Sequence, residues 1–471
     1  MTSALALPLA DRPAAADASS FYAALHARAN AIESRYRSLT PRSIENFRRA
    51  AAVFPGGYTR DAIMRDPHPT FIDRAQGTSM VDADGRRLTD FWFNATSLPL
   101  GHAHPAVVAA IEAQAPRGTA YYAPTLHEVA LAETLLPRLP GAERVRFANS
   151  GSEAVMMAVR FARAWRAAGT LAGKPAPTTI VKFEGSYHGS YDDVSWSVSP
   201  KLAQVGAANA PLPVAETSGL AGTEGRVVVL PFNDAAVLRD YVNVNAARIA
   251  AILIEPMANR IGLLVPELAF LAEARALCDR HGIALVFDEV ISFRVGYRGV
   301  QGEVGIAPDL TTLGKIIGGG FAVGAVAGRA AILDLSSPAH AARVTHAGTF
   351  NGNPMTSVAG RTTLELLTPA AFDQLGELGA HVRQGFAEAA RGLPLQVTGA
   401  GSLFKVTATG RKLHDYRDAA TADKRWESLC SLALLNEGFV LTPSMSGCVS
   451  AVTTRAEADA LIAAFRDIVR A

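Results

Sequence analysis

Cysteine is scarce in this chain. Cys278, Cys430 and Cys448 are the only three in 471 residues. They are odd in number and far apart, which argues against a disulfide framework and for a reduced compartment. No CxxC pair or Cys/His cluster suggests zinc. Charge imbalance is also missing: 45 basic residues face 43 acidic ones, for a formal net charge of +2. That balance gives no electrostatic reason to expect nucleic acid or an acidic membrane surface as a partner. Long apolar runs are absent too; stretches such as Ile249 to Ile254 are strand-sized and do not approach a membrane span. The N-terminal stretch MTSALALPLADRPAAADASS lacks a cationic start, its first basic residue being Arg12. It reads as a loose arm over residues 1–20 rather than a secretory signal, and a cytoplasmic protein is expected.

What is present is apolar bulk, 49% hydrophobic against 19% charged, enough for a large core and for two domains. The stretches Phe21 to Arg37, Pro41 to Val53 and His104 to Gln114 read as helices, and Thr70 to Phe93 as strands joined by turns. From about Arg144 short apolar strands alternate with helices. Candidate strands are 144–148, 179–183, 226–230, 250–255, 283–288 and 325–328, with helices such as 152–166 and 267–280 between them. Such alternation predicts an α/β unit with a mostly parallel sheet covered on both faces. Beyond about Thr368 the order helix, strands, helix, strands, helix predicts a separate α+β unit. The expected divisions are an arm at 1–20, an N-terminal segment at 21–75 packing with the small domain, a large domain at 76–367 and a small domain at 368–471.

The chemistry-bearing residues fall at predicted strand ends. The run Ile283 to Phe287 ends at Asp288-Glu289, and Leu310 to Gly314 delivers Lys315 just before Gly318-Gly319-Gly320. Alone, a strand-end aspartate is commonly a cap and a loop lysine a surface residue. Together, among apolar neighbours Leu313, Ile316, Ile317 and Phe321, they suit pyridoxal phosphate: the lysine for the Schiff base, the aspartate to keep the pyridine nitrogen protonated. Asn149 to Ala154 follows a strand and opens a helix, a capped start that also suits a phosphate. Phe183 to Gly189 sets Tyr187 where it could stack on a ring, and Glu255 ends another strand. Thr345 to Pro354 is a turn-rich loop of small polar residues.

In this order and spacing the set resembles the class III aminotransferases of fold type I, in the glutamate semialdehyde aminomutase branch, near aminotransferases of β-phenylalanine and D-phenylglycine. The resemblance runs from about Thr40 over nearly the whole chain. It implies a large domain with a mostly parallel seven-stranded sheet and a small α+β domain. It implies that Lys315 bonds pyridoxal 5'-phosphate and moves the substrate proton, and that Asp288 pairs with the pyridinium nitrogen. Tyr187 would stack on one ring face and Val290 pack on the other, while Gly151 and Ser152 hold the phosphate. His188 and Glu255 would support ring orientation. Thr349 would reach the phosphate of a neighbouring subunit, making a homodimer with shared sites.

Departures from the family pattern bear on substrate. The segment Asp288 to Arg294 lacks the glycine that many relatives carry before Phe-Arg. Arg260 stands where the aminomutase has asparagine, and Ala322 where it has proline. Arg60 lies where aryl amino-acid aminotransferases place an arginine for a carboxylate, a bidentate partner. No arginine occurs in 441–446. The resemblance thus implies an aminotransferase working by a ping-pong cycle between a β- or aryl-substituted amino acid and a 2-oxo acid, with Arg60 and Arg260 as substrate contacts. The alternative is an intramolecular aminomutase of the glutamate-1-semialdehyde type. A non-catalytic cofactor-binding protein is disfavoured by the presence of both Lys315 and Asp288.

Overall fold

The computed structural model describes residues 18–170, 174–218, 220, 226–341 and 343–471. Of the expected arm, residues 1–17 lie outside the described residues, and 18–20 already belong to the helix Ala18–Ala27. The chain forms two compact units. One comprises residues 1–105, 373–413 and 421–471; the other comprises 106–372 and 414–420.

The second unit is built on a seven-stranded sheet. Its strand order is Arg144–Ala148, Gly324–Gly328, Leu310–Gly314, Ala284–Asp288, Ile249–Ile254, Thr179–Phe183 and Val227–Leu230. Every pairing is parallel except the two made by Gly324–Gly328. Thr179–Phe183, Ile249–Ile254, Ala284–Asp288 and Leu310–Gly314 are buried at every position. That is why they read as near-continuous apolar runs rather than alternating ones. Helix Gly151–Ala168 covers one face, its Val155, Ala158, Val159 and Ala162 packing in one core with Ile180, Leu253, Val286 and Leu310.

The expected six strands are present to within a residue at their ends. Leu310–Gly314 is the seventh, a strand where the sequence suggested only an approach to a turn. Its Thr311 and Thr312 masked it, yet both are buried. The antiparallel strand Gly324–Gly328 is made of small residues because its neighbours crowd it. A Cβ on Gly324 would lie 1.9 Å from the Ser150 carbonyl oxygen, and one on Gly328 would lie 2.3 Å from that of Asp309.

The first unit holds a four-stranded sheet, Ile72–Gln76, Ser79–Asp82, Arg87–Asp90 and Phe439–Val440, and a three-stranded one, Gln396–Thr398, Leu403–Thr407 and Ser446–Cys448. Helices Ala29–Leu39, Lys424–Asn436 and Arg455–Arg470 belong to it. The pairing Phe439↔Thr89 ties the N-terminal strands to the C-terminal segment. The units divide at 105/106 and 372/373: the second division lies close to the 367 read from the sequence, while the first lies well beyond 76, so that Ser79–Asp82 and Arg87–Asp90 fall in the first unit, and residues 414–420 fall in the second. The strand expected to run to Phe93 stops at Asp90, whose Oδ1 accepts from the backbone N–H of Trp92 and of Phe93. Phe93 to Thr96 then turn through four successive positive φ angles, 47°, 49°, 54° and 71°. Among the described residues no helix is long and apolar enough to cross a membrane.

The crowding at Gly324 gives a test. Gly324→Ala should destabilise the fold by about 1–3 kcal/mol or more through overpacking against backbone, read as a lower thermal midpoint. Gly376→Ala, in a helix where a Cβ meets nothing within 4 Å, should leave the midpoint unchanged or raise it. Equal midpoints for the two variants would contradict the close approach.

Candidate active site

Because the strands are parallel, their carboxyl ends gather at one edge of the second unit. Ala148, Phe183, Ile254, Asp288 and Gly314 all end there, the crevice position where α/β sheets take ligands. Register fixes the centre of the site. Asp288 lies opposite Thr312, so Lys315, three residues further on, turns out of the sheet beside the Asp288 strand.

The Asp288 carboxylate is buried, 4% exposed, and held from three directions. Its Oδ2 lies 2.8 Å from His188 Nδ1. Its Oδ1 accepts from Thr312 Oγ1 at 3.0 Å and from the Val290 backbone N–H at 3.2 Å. A carboxylate only accepts, so the His188 proton sits on Nδ1. Burial pushes the His188 pKa down, against the pull of Asp288. Burial thus favours the neutral ring, whose Nε2 is a buried acceptor with no hydrogen-bond partner among the described residues.

Glu255 is also buried. Its Oε2 accepts from the Tyr187 backbone N–H at 2.9 Å, and its Oε1 from Asn259 N–H at 3.3 Å. Burial first, and then the charge of Asp288, push its pKa up to about 8. Lys315 has φ +49°, a left-handed conformation that costs a non-glycine residue energy and marks functional sites. Burial lowers the pKa of its amine, opposed by Asp288 and Glu255. A lowered pKa raises the neutral, nucleophilic fraction.

The turn expected from sequence to hold a phosphate is the N-terminus of helix Gly151–Ala168. Ser150 caps it by accepting from Glu153 N–H at 3.1 Å, and the Glu153 carboxylate returns to Asn149 N–H at 2.6 Å. Ser152 Oγ accepts from Ser190 N–H at 3.2 Å, leaving its own proton to donate. Gly151 approaches Val290 so closely that a Cβ would lie 3.0 Å from both valine methyls. Gly189 approaches Ser152 in the same manner. Tyr187 is half-buried, with its hydroxyl 3.2 Å from Ser190 Oγ.

Arg260 is exposed. Its guanidinium lies over the Tyr187 ring at 5.2 Å from the centroid and donates to Ser199 Oγ at 2.7 Å. Thr349 is exposed, in a loop anchored to the phosphate turn by Asn149 Nδ2 donating to Asn351 Oδ1 at 2.8 Å. Arg60 belongs to the first unit, is exposed and donates to Asn94 Oδ1 at 3.4 Å.

Three contributors escaped the sequence reading. Thr312 holds Asp288; the signal was a threonine inside a buried run ahead of the lysine. Glu184, 1% exposed, receives Arg417 at 3.0 and 3.1 Å, a pairing of distant residues that no local pattern shows. Lys182, 0% exposed within TIVKF, was visible as an ionisable residue in an apolar strand.

Family comparison agrees with this geometry. The model of the family described as aminotransferase class-III matches residues 62–469, and the chain belongs to that family. It is 41% identical over 411 residues to a glutamate-1-semialdehyde 2,1-aminomutase of Methanothermobacter thermautotrophicus, covering 86% of this chain and 93% of that one. An omega-transaminase from Sphaerobacter thermophilus superposes with a TM-score of 0.86 at 41% identity, over 91% of this chain and 97% of that one. A transaminase solved with PLP bound superposes with a TM-score of 0.83 at 35% identity, over 92% and 97%.

The fold is that of the fold type I transferases that use pyridoxal 5'-phosphate, and the residues fit that cofactor. A buried acceptor carboxylate, a desolvated amine and a helix N-terminus with a spare hydroxyl donor line one sheet edge, and Gly151 packs tightly against Val290.

The pKa of Glu255 supplies a prediction for the apoprotein. A carboxyl whose folded pKa is raised stabilises the fold fully below its ordinary value of 4.5, and that contribution is lost as pH rises through about 8. Glu255→Gln should therefore flatten the fall in urea midpoint across this window relative to wild type. Parallel pH profiles would show that Glu255 does not titrate there.

Proposed function

We propose that this chain catalyses pyridoxal-phosphate-dependent transfer of an amino group on an amino-acid substrate. The observation that carries the reading is the Asp288↔Thr312 register, which delivers Lys315 next to a buried, triply held carboxylate. The bound cofactor supplies an aldehyde for the amine and an electron-withdrawing pyridinium ring. Lys315 Nζ, its pKa lowered by burial, is the amine that would hold that aldehyde and would carry the proton taken from the substrate Cα. Asp288 would hold the proton on the ring nitrogen. Ser152 and the helix N-terminus at Gly151 bind the phosphate. Tyr187 and Val290 confine the two ring faces, and Glu255 and His188 hold the groups that orient it.

Two forms of the transfer have support. The names of the curated relatives back the intramolecular form, an aminomutase of the glutamate-1-semialdehyde type. The intermolecular form, a ping-pong exchange between an amino acid and a 2-oxo acid, is backed by the omega-transaminase of equal identity. It is backed also by Arg260 standing where the aminomutase has asparagine. Arg60 and Arg260 are the cations offered to a substrate carboxylate. Arg260 also lies over the Tyr187 ring and donates to Ser199, and Arg60 donates to Asn94. With Arg60 in that role, β- or aryl-substituted amino acids are the preferred donors.

A homodimer with shared sites fits the exposed side chains. Thr349 is uncovered, as are Tyr122, Leu126 and Phe350, at 102%, 83% and 58% exposure, apolar surface that a second copy would cover.

The experiment is a half-reaction. The holoenzyme mixed with a panel of amino donors and no acceptor should yield stoichiometric oxo acid and pyridoxamine phosphate if it is a transaminase. With glutamate-1-semialdehyde, label from the donor nitrogen retained in one isomerised product would establish the aminomutase form. Neither outcome across both arms would overturn the reading. In the same preparation, borohydride should fix the cofactor to Lys315, and Lys315→Ala should abolish that adduct. An adduct on another lysine would contradict the assignment.

A further inference from the structure

We propose that Lys182 is a positioning residue for the cofactor pocket, the internal strut that fixes the loop carrying Tyr187 and His188 over the strand end. The inference rests on the reading of Tyr187 as a ring-stacking residue. Lys182 lies in the strand Thr179–Phe183, on the same face as Ile180, and is 0% exposed. Its Nζ donates to the carbonyl oxygens of Ser186 and Val194, each at 3.1 Å, and to that of Trp196. An ammonium has three donors, and all three are used.

The acceptors come from the two limbs of one loop, one acceptor just before Tyr187-His188 and two after it. One buried cation thus closes the loop from inside, as a metal ion would. No carboxylate lies within ion-pair distance of it among the described residues.

The loop is held at its outer side as well. Glu184 takes the bidentate Arg417 pair, and the Tyr416 ring fills the space beside Gly185, where a Cβ would lie 2.3 Å from it. Between these holds, Tyr187 N–H reaches Glu255 and His188 Nδ1 reaches Asp288. Burial lowers the Lys182 pKa to about 7, against the pull of Glu255 and Glu216. The hydrogen bonds of the Lys182 ammonium all go to those three carbonyls. Losing the ammonium would leave three buried carbonyls without their donor, the costly side of a hydrogen bond.

The test uses Lys182→Met, which keeps the apolar stem, beside Val242→Ala, a core truncation on helix Ala235–Asn245. Hydrogen exchange of the apoprotein should rise in 184–197 for Lys182→Met and stay unchanged in 151–168. At matched thermal midpoints the dissociation constant for pyridoxal phosphate should weaken by about tenfold or more against Val242→Ala. Exchange that rises evenly through the second unit, or affinity no weaker than that of the control, would overturn the proposal.

If Lys182→Met does not fold, Lys182→Gln, which keeps two donors on one nitrogen, carries the same comparison. Tyr187→Ala runs alongside. If it leaves cofactor affinity unchanged, the stacking assignment fails, while the exchange data still decide whether Lys182 holds the loop.

Discussion

Everything at this site leans on the buried contact between Asp288 and His188. An aspartate at 4% exposure is a poor place for a charge unless its oxygens are occupied, since desolvation costs more than one weak bond returns. Here Oδ2 is met by His188, and Oδ1 by Thr312 and Val290 N–H. Each partner stands on a different segment: the loop after Thr179–Phe183, the strand Leu310–Gly314, and the turn that follows Asp288 itself. The carboxylate therefore joins three segments, and Lys315 and Val290 follow directly from the strand and turn that it holds.

The same economy holds one layer out. Glu255 binds the backbone of Tyr187, and Lys182 gathers the carbonyls of the loop in which Tyr187 and His188 sit. Glu255 is raised in pKa and Lys182 is lowered, both by burial first. These ionisable groups serve geometry, and their burial makes the geometry stiff because no water can replace a lost partner. Stiffness is what a lysine at φ +49° requires, and Lys315 holds that conformation directly after the fully buried strand Leu310–Gly314.

The sheet was legible in the residues, and so were the strand ends that carry Asp288 and Lys315, for physical reasons. Strands buried on both faces show as unbroken apolar runs, and polar residues that end such runs stand out. Leu310–Gly314 was not legible as a strand because Thr311 and Thr312 broke the run, although Thr312 is polar there in order to hold Asp288. The Glu184–Arg417 pair joins residues 233 apart in the chain and leaves no local trace. Lys182 left one, a lysine inside TIVKF, which gains its meaning only when three carbonyls are seen to converge on it. Arg260, offered from sequence as a substrate contact, stands over the Tyr187 ring and donates to Ser199. A motif can place a cation near a site, but only packing shows what its charge faces.

The central claim is that the held carboxylate of Asp288 keeps the cofactor's ring nitrogen protonated. Nitrogen NMR of the holoenzyme loaded with 15N-ring-labelled pyridoxal phosphate reads that proton directly. The account predicts a pyridinium shift in wild type and a neutral pyridine shift in Asp288→Asn. A neutral pyridine shift in wild type, or a pyridinium shift that survives Asp288→Asn, would contradict it.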